Sequence, residues 1–320
     1  MSWKKSLLVF DDKYGKINSH WPYCTSMINI EDHIYYDDSS FEKQLIHLLC
    51  DKEYDAFVFS GRNAPDAARL LDSVLKENKQ ICPHNKGLRK IYKLHNTNLS
   101  EFASDTSWNK EALQRLGNDW VRAAIKYPFD VLLIQTYGDC DIFNHALKSN
   151  CAFWVPYCYN DRLFYPRENI NKDIDIGAYF KLERHDHRFA LINHLETIAE
   201  KNGYTFEFSD EYWGDEYAQK LCGAKIAIHL SYCGDIPWRL YECAASKTCL
   251  LTDPLSFQVN RLFTPGKDYY EYKRDFSDLE SKIKELLDEE LRTRIVNHAY
   301  NTVQQYTWEK ISSSLIYPHL

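Results

Sequence analysis

At 320 residues the chain is long enough for two ordinary domains, and 44% hydrophobic with 27% charged residues is the balance of a folded globular protein. A net charge of −7 argues against a broad nucleic-acid footprint, and no apolar run approaches the ~20 residues of a membrane-spanning helix. Ten cysteines with no Cys-x-x-Cys pair read as buried reduced thiols rather than a disulfide scaffold.

Strand and helix signals alternate along the chain. The apolar run at 6–10 is too short for a secretory leader and reads as the first strand of a cytoplasmic protein. An irregular polar stretch runs to Tyr36, with one strand signal at 27–30. A helix over 41–50, a buried strand over 56–60 and a helix over 65–78 make a βαβ pattern, the mark of a parallel sheet covered on both faces. Residues 81–107 carry no clear period, and the basic stretch 86–93 reads as a solvated loop. A helix over 108–126, a strand over 129–135, a helix over 142–148 and a strand over 152–155 complete a first domain.

A loop-rich connection over 156–173 precedes a second αβ series. Strands are expected at 174–179, 205–208, 225–230, 249–252 and 269–272, with helices at 188–201, 217–221, from Pro237, and at 277–287 and 290–306. A last helix begins at Trp308. The expected organisation is therefore a first Rossmann-like domain over 1–155, a second over 156–305, and a segment over 306–320 crossing back to the first domain. Two parallel αβ domains facing a central cleft is the simplest architecture.

The most informative segment lies between Cys222 and Gly266. Arg239 and Glu242, three apart on a helix opened by Pro237, project from one face. A guanidinium, a carboxylate and a helix start at the carboxyl edge of a parallel sheet suit a nucleotide diphosphate. The arginine faces phosphate, and the glutamate accepts the ribose hydroxyls. The plainer reading of Glu242 is a solvated carboxylate near a helix dipole. Ser231 and Tyr232 end a strand on the same edge, and Thr252 and Asp253 end the next, where capping and turn formation are the alternative roles. In the first domain, Gly61-Arg62-Asn63 follows a strand, while Asp11, Asp12 and His20 are acid–base candidates by position. His185 and His187 would face opposite ways on a strand, so no metal site is expected. No phosphate-binding Walker loop, dinucleotide fingerprint or nucleophile elbow occurs.

Several pieces in order resemble the CgeB-like glycosyltransferases, within the GT-B enzymes that use nucleotide-sugars. They are the linker Asn160-Asp161-Arg162-Leu163-Phe164-Tyr165-Pro166, Asp173-Ile174-Asp175-Ile176-Gly177, and Arg188 at a helix start. Ala224-Lys225-Ile226, Pro237-Trp238-Arg239-Leu240-Tyr241-Glu242, Leu251-Thr252-Asp253, Phe263-Thr264-Pro265-Gly266 and Tyr306-Thr307-Trp308 follow. The resemblance covers about residues 155–310 and implies a GT-B fold of two Rossmann-like domains. It implies a glycosyltransferase that needs no metal or other cofactor and binds its donor through Arg188, Lys225, Ser231, Arg239, Glu242, Thr252 and Asp253. The implied partners are a nucleotide-diphosphate sugar, with UDP or GDP as nucleotide, and an acceptor the sequence does not identify. Two other readings share the architecture: a nucleotide-sugar epimerase or hydrolase, and a non-catalytic nucleotide-sugar-binding protein. Gly234, eight residues before Glu242 where many retaining GT-B enzymes carry a second glutamate, keeps the last of these in play.

Overall fold

The computed structural model describes residues 7–11, 33–35, 40–59, 63–81, 83–94, 99, 109–182, 186–231, 236–311, 313–314 and 318. They divide into two compact units, Met1–Pro156 with Trp308–Leu320, and Tyr157–Thr307.

The first unit holds a six-stranded, wholly parallel sheet. Its strands are β1 (Leu7–Asp11), β2 (His33–Tyr35), β3 (Ala56–Phe59), β4 (Lys90–Lys93), β5 (Val131–Ile134) and β6 (Ala152–Trp154), in the order β2-β1-β3-β4-β5-β6. Ala56-Phe57-Val58-Phe59 is buried at every position, as a strand covered on both faces must be. Phe10 and Phe59 are register partners on β1 and β3, and their rings stack at 4.5 Å. The helix Ala64–Glu77 covers one face with Ala64, Ala67, Ala68, Leu71, Val74 and Leu75, an i, i+3/i+4 stripe, and has proline in its first turn.

The second unit holds a five-stranded parallel sheet in the order β11-β10-β9-β7-β8. Its strands are β7 (Ile174–Tyr179), β8 (Phe206–Ser209), β9 (Ala224–His229), β10 (Cys249–Thr252) and β11 (Tyr270–Glu271). The helix Asp186–Asn202 carries the chain from β7 out to β8, and the helix Gly214–Gly223 brings it back to β9 on the other side of β7. The strand order therefore reverses between β7 and β9. Crevices at such reversals, outside the carboxyl ends of the strands, are where open α/β sheets bind ligands.

Most expected elements appear within three residues of their bounds, and four differ more. The basic stretch 86–93 is not a solvated loop: β4 occupies its last four residues, paired with β3 and β5, with Ile91 and Tyr92 fully buried. Flanking lysines at 90 and 93 mask a two-residue apolar centre, too short to show a period. His33–Tyr35, inside the supposedly irregular stretch, pairs with β1, while the strand signal at 27–30 lies outside the described residues. The single helix over 108–126 is two, Lys110–Leu116 and Asp119–Lys126. Asn118 caps the second by accepting from the amides of Trp120 and Val121. The helix expected at 142–148 begins earlier, at Tyr137. All seven described cysteines are free thiols, and no described helix is long and apolar enough to cross a membrane.

Asn85 ties the edge of the first unit together. Fully buried, it accepts from the Tyr54 amide and donates to the carbonyls of Leu49 and Lys52. Replacing it with alanine removes three buried hydrogen bonds to the backbone, so urea unfolding of Asn85→Ala should show a loss of about 3 kcal/mol.

Candidate functional site

At the reversal between β7 and β9, one side chain bridges the two strand exits. Arg188, in the first turn of the helix Asp186–Asn202, donates to the carbonyl of Lys181 beyond β7 at 2.7 Å. It also donates to the carbonyl of Leu230 beyond β9 at 3.3 Å, while its guanidinium lies 5.2 Å from the Phe180 ring centre. A permanent cation is thereby fixed at the mouth of the crevice.

The helix Trp238–Ala245 brings the second cation. Pro237 serves as its N-cap, and Arg239 and Glu242 follow on one face. Tyr217, from the helix Gly214–Gly223, holds both. Its ring centre lies 5.3 Å under the Arg239 guanidinium, and its hydroxyl donates to Glu242 Oε2 at 2.8 Å. Nη1 of Arg239 is buried and has no hydrogen-bond partner among the described residues. Burial raises the Glu242 carboxyl above the usual range, opposed by Arg239 and the Tyr217 hydroxyl. Burial also drives the Tyr217 hydroxyl far up, so it remains the donor in this pair.

His229, the last residue of β9 and 8% exposed, lies within electrostatic reach of both arginines. Its Nδ1 is buried with no hydrogen-bond partner among the described residues. Burial first, then the charges of Arg239 and Arg188, hold its pKa well below the ordinary value, so the ring is neutral at neutral pH. A third cation, Arg274, stands beyond β11 with Nε 3.8 Å from Asp253 Oδ2.

Other expected donor contacts take different roles. Asp253 is completely buried and accepts from the Ser231 amide through Oδ1 at 2.6 Å and from the Ser231 hydroxyl through Oδ2 at 2.7 Å. Ser231 and Asp253 thus spend these groups on each other, locking the exits of β9 and β10 together. Thr252 is also wholly buried, bonding Asp253 through its hydroxyl and Tyr272 through its carbonyl. These three residues shape the crevice and do not line it with free donors. Lys225 is a clearer correction. It is the second residue of β9, at the amino end of the strand, and pairs with Asp175 at 2.6 Å. Four residues of extended chain put it ~13 Å from the carboxyl edge.

Of the first-unit candidates, Asp11 ends β1 at the carboxyl edge of its sheet, but its side chain lies outside the described residues, as do Asp12, His20, Gly61, Arg62, Tyr232 and His185. The structure brings together Arg188, Arg239 and Glu242 from the expected set, and adds His229 and Tyr217. A polar residue closing the apolar run Ala224–Ile228 was the available sign for His229. Tyr217 carried none, because only the fold sets its ring beneath Arg239.

Two variants separate these roles. Asp253→Ala should cost about 3 kcal/mol or more in urea unfolding, since it removes two buried hydrogen bonds to Ser231. Lys225→Met should cost less than about 1 kcal/mol and leave the affinity for any ligand at the β7–β9 exits unchanged in calorimetry.

Residues 184–316 match the family model described as glycosyl transferase-like. The matched segment contains Arg188, Arg239 and Glu242 and starts after the whole first sheet. No curated protein matches the sequence. Among solved structures, the chain is similar to Anabaena Alr3699/HepE in complex with UDP and glucose, with a TM-score of 0.62, 10% identity and 97% of each chain covered. It is also similar to the sucrose-phosphate synthase of Thermosynechococcus elongatus, with a TM-score of 0.55 and 14% identity over 81% of this chain and 71% of that one. A third is S. aureus TarM, as its G117R mutant, at 0.52 and 13% over 85% and 57%. None of these matches singles out the CgeB-like group. At such identities the structural likeness speaks to fold, and the sequence match to one segment: the chain has the GT-B fold, and its residues 184–316 are similar to the glycosyl transferase-like family.

Proposed function

We propose that the protein is a glycosyltransferase that moves a sugar from a nucleotide-diphosphate donor, bound at the carboxyl ends of β7 and β9, to an acceptor. The observation that carries this reading is the convergence of Arg188 and Arg239, one of them with a buried, unpartnered Nη1, at the strand-order reversal. Two fixed guanidiniums suit a diphosphate in charge and shape. Glu242 keeps Oε1 clear of hydrogen bonds among the described residues, while Tyr217 orients the carboxylate through Oε2. In this reading Oε1 accepts from the donor ribose. The solved relatives HepE, seen with UDP and with UDP-glucose, and TarM, seen with UDP, make a uridine nucleotide the first to test.

The chemistry follows from where charge develops. As the bond between sugar and diphosphate breaks, negative charge grows on the departing phosphate oxygen. Arg188 and Arg239 are already in place to stabilise it without reorganisation. They would do the work for which other transferases recruit a divalent cation, so we assign a metal-independent reaction. The proton leaving the acceptor hydroxyl requires a base, sought at the exit of β1, where Asp11 and Asp12 stand in sequence, and at His20.

Thermal-shift measurements with nucleoside diphosphates and their sugar conjugates test the reading. Wild type should be stabilised by at least one conjugate with EDTA present. Arg239→Ala and Arg188→Ala should each weaken that ligand by roughly tenfold or more. Stabilisation by no conjugate, or by only those with added metal, contradicts it.

Glu242 offers a sharper outcome. Its folded pKa is raised, so the folded state holds more protons than the unfolded chain between the two pKa values, and this residue's contribution to stability falls as pH rises through that window. Glu242→Gln should therefore melt at or above the wild type at neutral pH without ligand, yet lose the preference for ribose over deoxyribose nucleotides in calorimetry. An early-melting variant would make Glu242 structural.

A further inference from the structure

His229 has no place yet in this scheme, and its surroundings are unusual. The ring closes β9 at the strand-order reversal with Nδ1 sealed and unbonded among the described residues. A buried polar nitrogen without a partner is costly, and native proteins seldom leave one unless something else supplies the bond. The groups facing it are cationic: Arg239 from the helix Trp238–Ala245 and Arg188 from the helix Asp186–Asn202.

Potential counter-charges around it are engaged elsewhere. Thr252 is its register partner on β10, and both oxygens of Asp253, next along, bind Ser231. Tyr272, beyond β11, spends its hydroxyl on the backbone carbonyl of His229, not on the ring. Glu242 faces Arg239 and receives the Tyr217 hydroxyl through Oε2. The uncharged ring thus feels two positive charges and carries an unbonded nitrogen at the end of the strand whose exit Arg188 bridges.

We propose that Nδ1 of His229 contacts the diphosphate of the bound donor and that the ring takes up a proton as the donor binds. The inference rests on the donor reading above. The two negative charges of a nucleotide-sugar diphosphate reverse the local field that keeps the ring neutral. Nδ1 then carries an N–H toward a phosphate oxygen, and the imidazolium forms a charge-assisted hydrogen bond. The proton comes from solvent and returns there when the nucleotide leaves, so the cycle balances. Donor binding becomes proton-linked: affinity rises as pH falls through the range where the free ring is neutral and the bound ring charged. A charged ring beside the leaving phosphate also adds a third positive group where negative charge develops.

Isothermal titration calorimetry in buffers of different ionisation enthalpy reads this directly. The probes are UDP-glucose, GDP-mannose, dTDP-glucose and ADP-glucose, whose diester diphosphates do not themselves titrate near neutrality. Wild type should take up close to one proton per bound nucleotide-sugar, with affinity strengthening from about pH 8 to about pH 6. His229→Asn keeps an amide hydrogen-bond donor but cannot titrate. It should bind roughly tenfold more weakly, with no proton uptake and a flat pH profile. If that variant does not fold, the wild-type proton count alone decides. A probe that binds wild type without proton uptake, or with uptake that persists in His229→Asn, overturns the inference and leaves the donor reading standing. Failure of every probe to bind wild type removes both.

Discussion

The second unit is organised around a single bridge, the Arg188 guanidinium spanning the carbonyls beyond β7 and β9. A parallel sheet whose strand order reverses must part its two connections at that point, and the parting leaves backbone carbonyls facing an open crevice. A cation that bonds both carbonyls closes the gap electrostatically while keeping positive charge at the mouth of the crevice. Every other part of the candidate site is arranged relative to it. The helix Trp238–Ala245 adds a second guanidinium, β9 ends on an imidazole, and Asp253 with Ser231 fixes the strand exits.

The arrangement carries free-energy costs that a purely structural crevice would avoid. Glu242 is a half-buried carboxylate whose only hydrogen bond among the described residues comes from Tyr217, and its proton affinity is raised. Arg239 hides an unbonded Nη1, and His229 an unbonded Nδ1. Such groups are usually satisfied or absent in a folded interior. Their clustering on one sheet edge, beside side chains as fully paired as Ser231 and Asp253, separates the part built for stability from the part left open for a ligand. That separation, rather than any single residue, is what makes this edge the candidate site.

Much of this was legible in the sequence, for reasons that can be named. Apolar runs such as Ala56–Phe59 and Cys249–Thr252, spaced by helical stripes, announce parallel strands covered on both faces. Arg239 and Glu242 announce themselves because three-residue spacing on a helix is a local property. β4 did not, because lysines flank its two buried residues. Lys225 came from the family resemblance, against its own place in the chain: as the second residue of β9 it stands at the amino end of the strand, away from the ligand edge, and pairs with Asp175. Ser231, Thr252 and Asp253 were rightly located at strand exits, but their mutual hydrogen bonds are tertiary facts. His229 gives only a weak local sign, because a histidine closing an apolar strand is ordinary until the two arginines near it are known.

Hydrogen exchange, compared with and without a bound nucleotide-sugar, measures the central claim most directly, because it reports where the ligand orders the backbone regardless of its chemistry. The account predicts protection concentrated in peptides covering the exits of β7 and β9 and the helix Trp238–Ala245, around Lys181, Leu230 and Arg239. Protection confined to the first unit, or to the amino edge of the second sheet near Lys225 and Asp175, would contradict it.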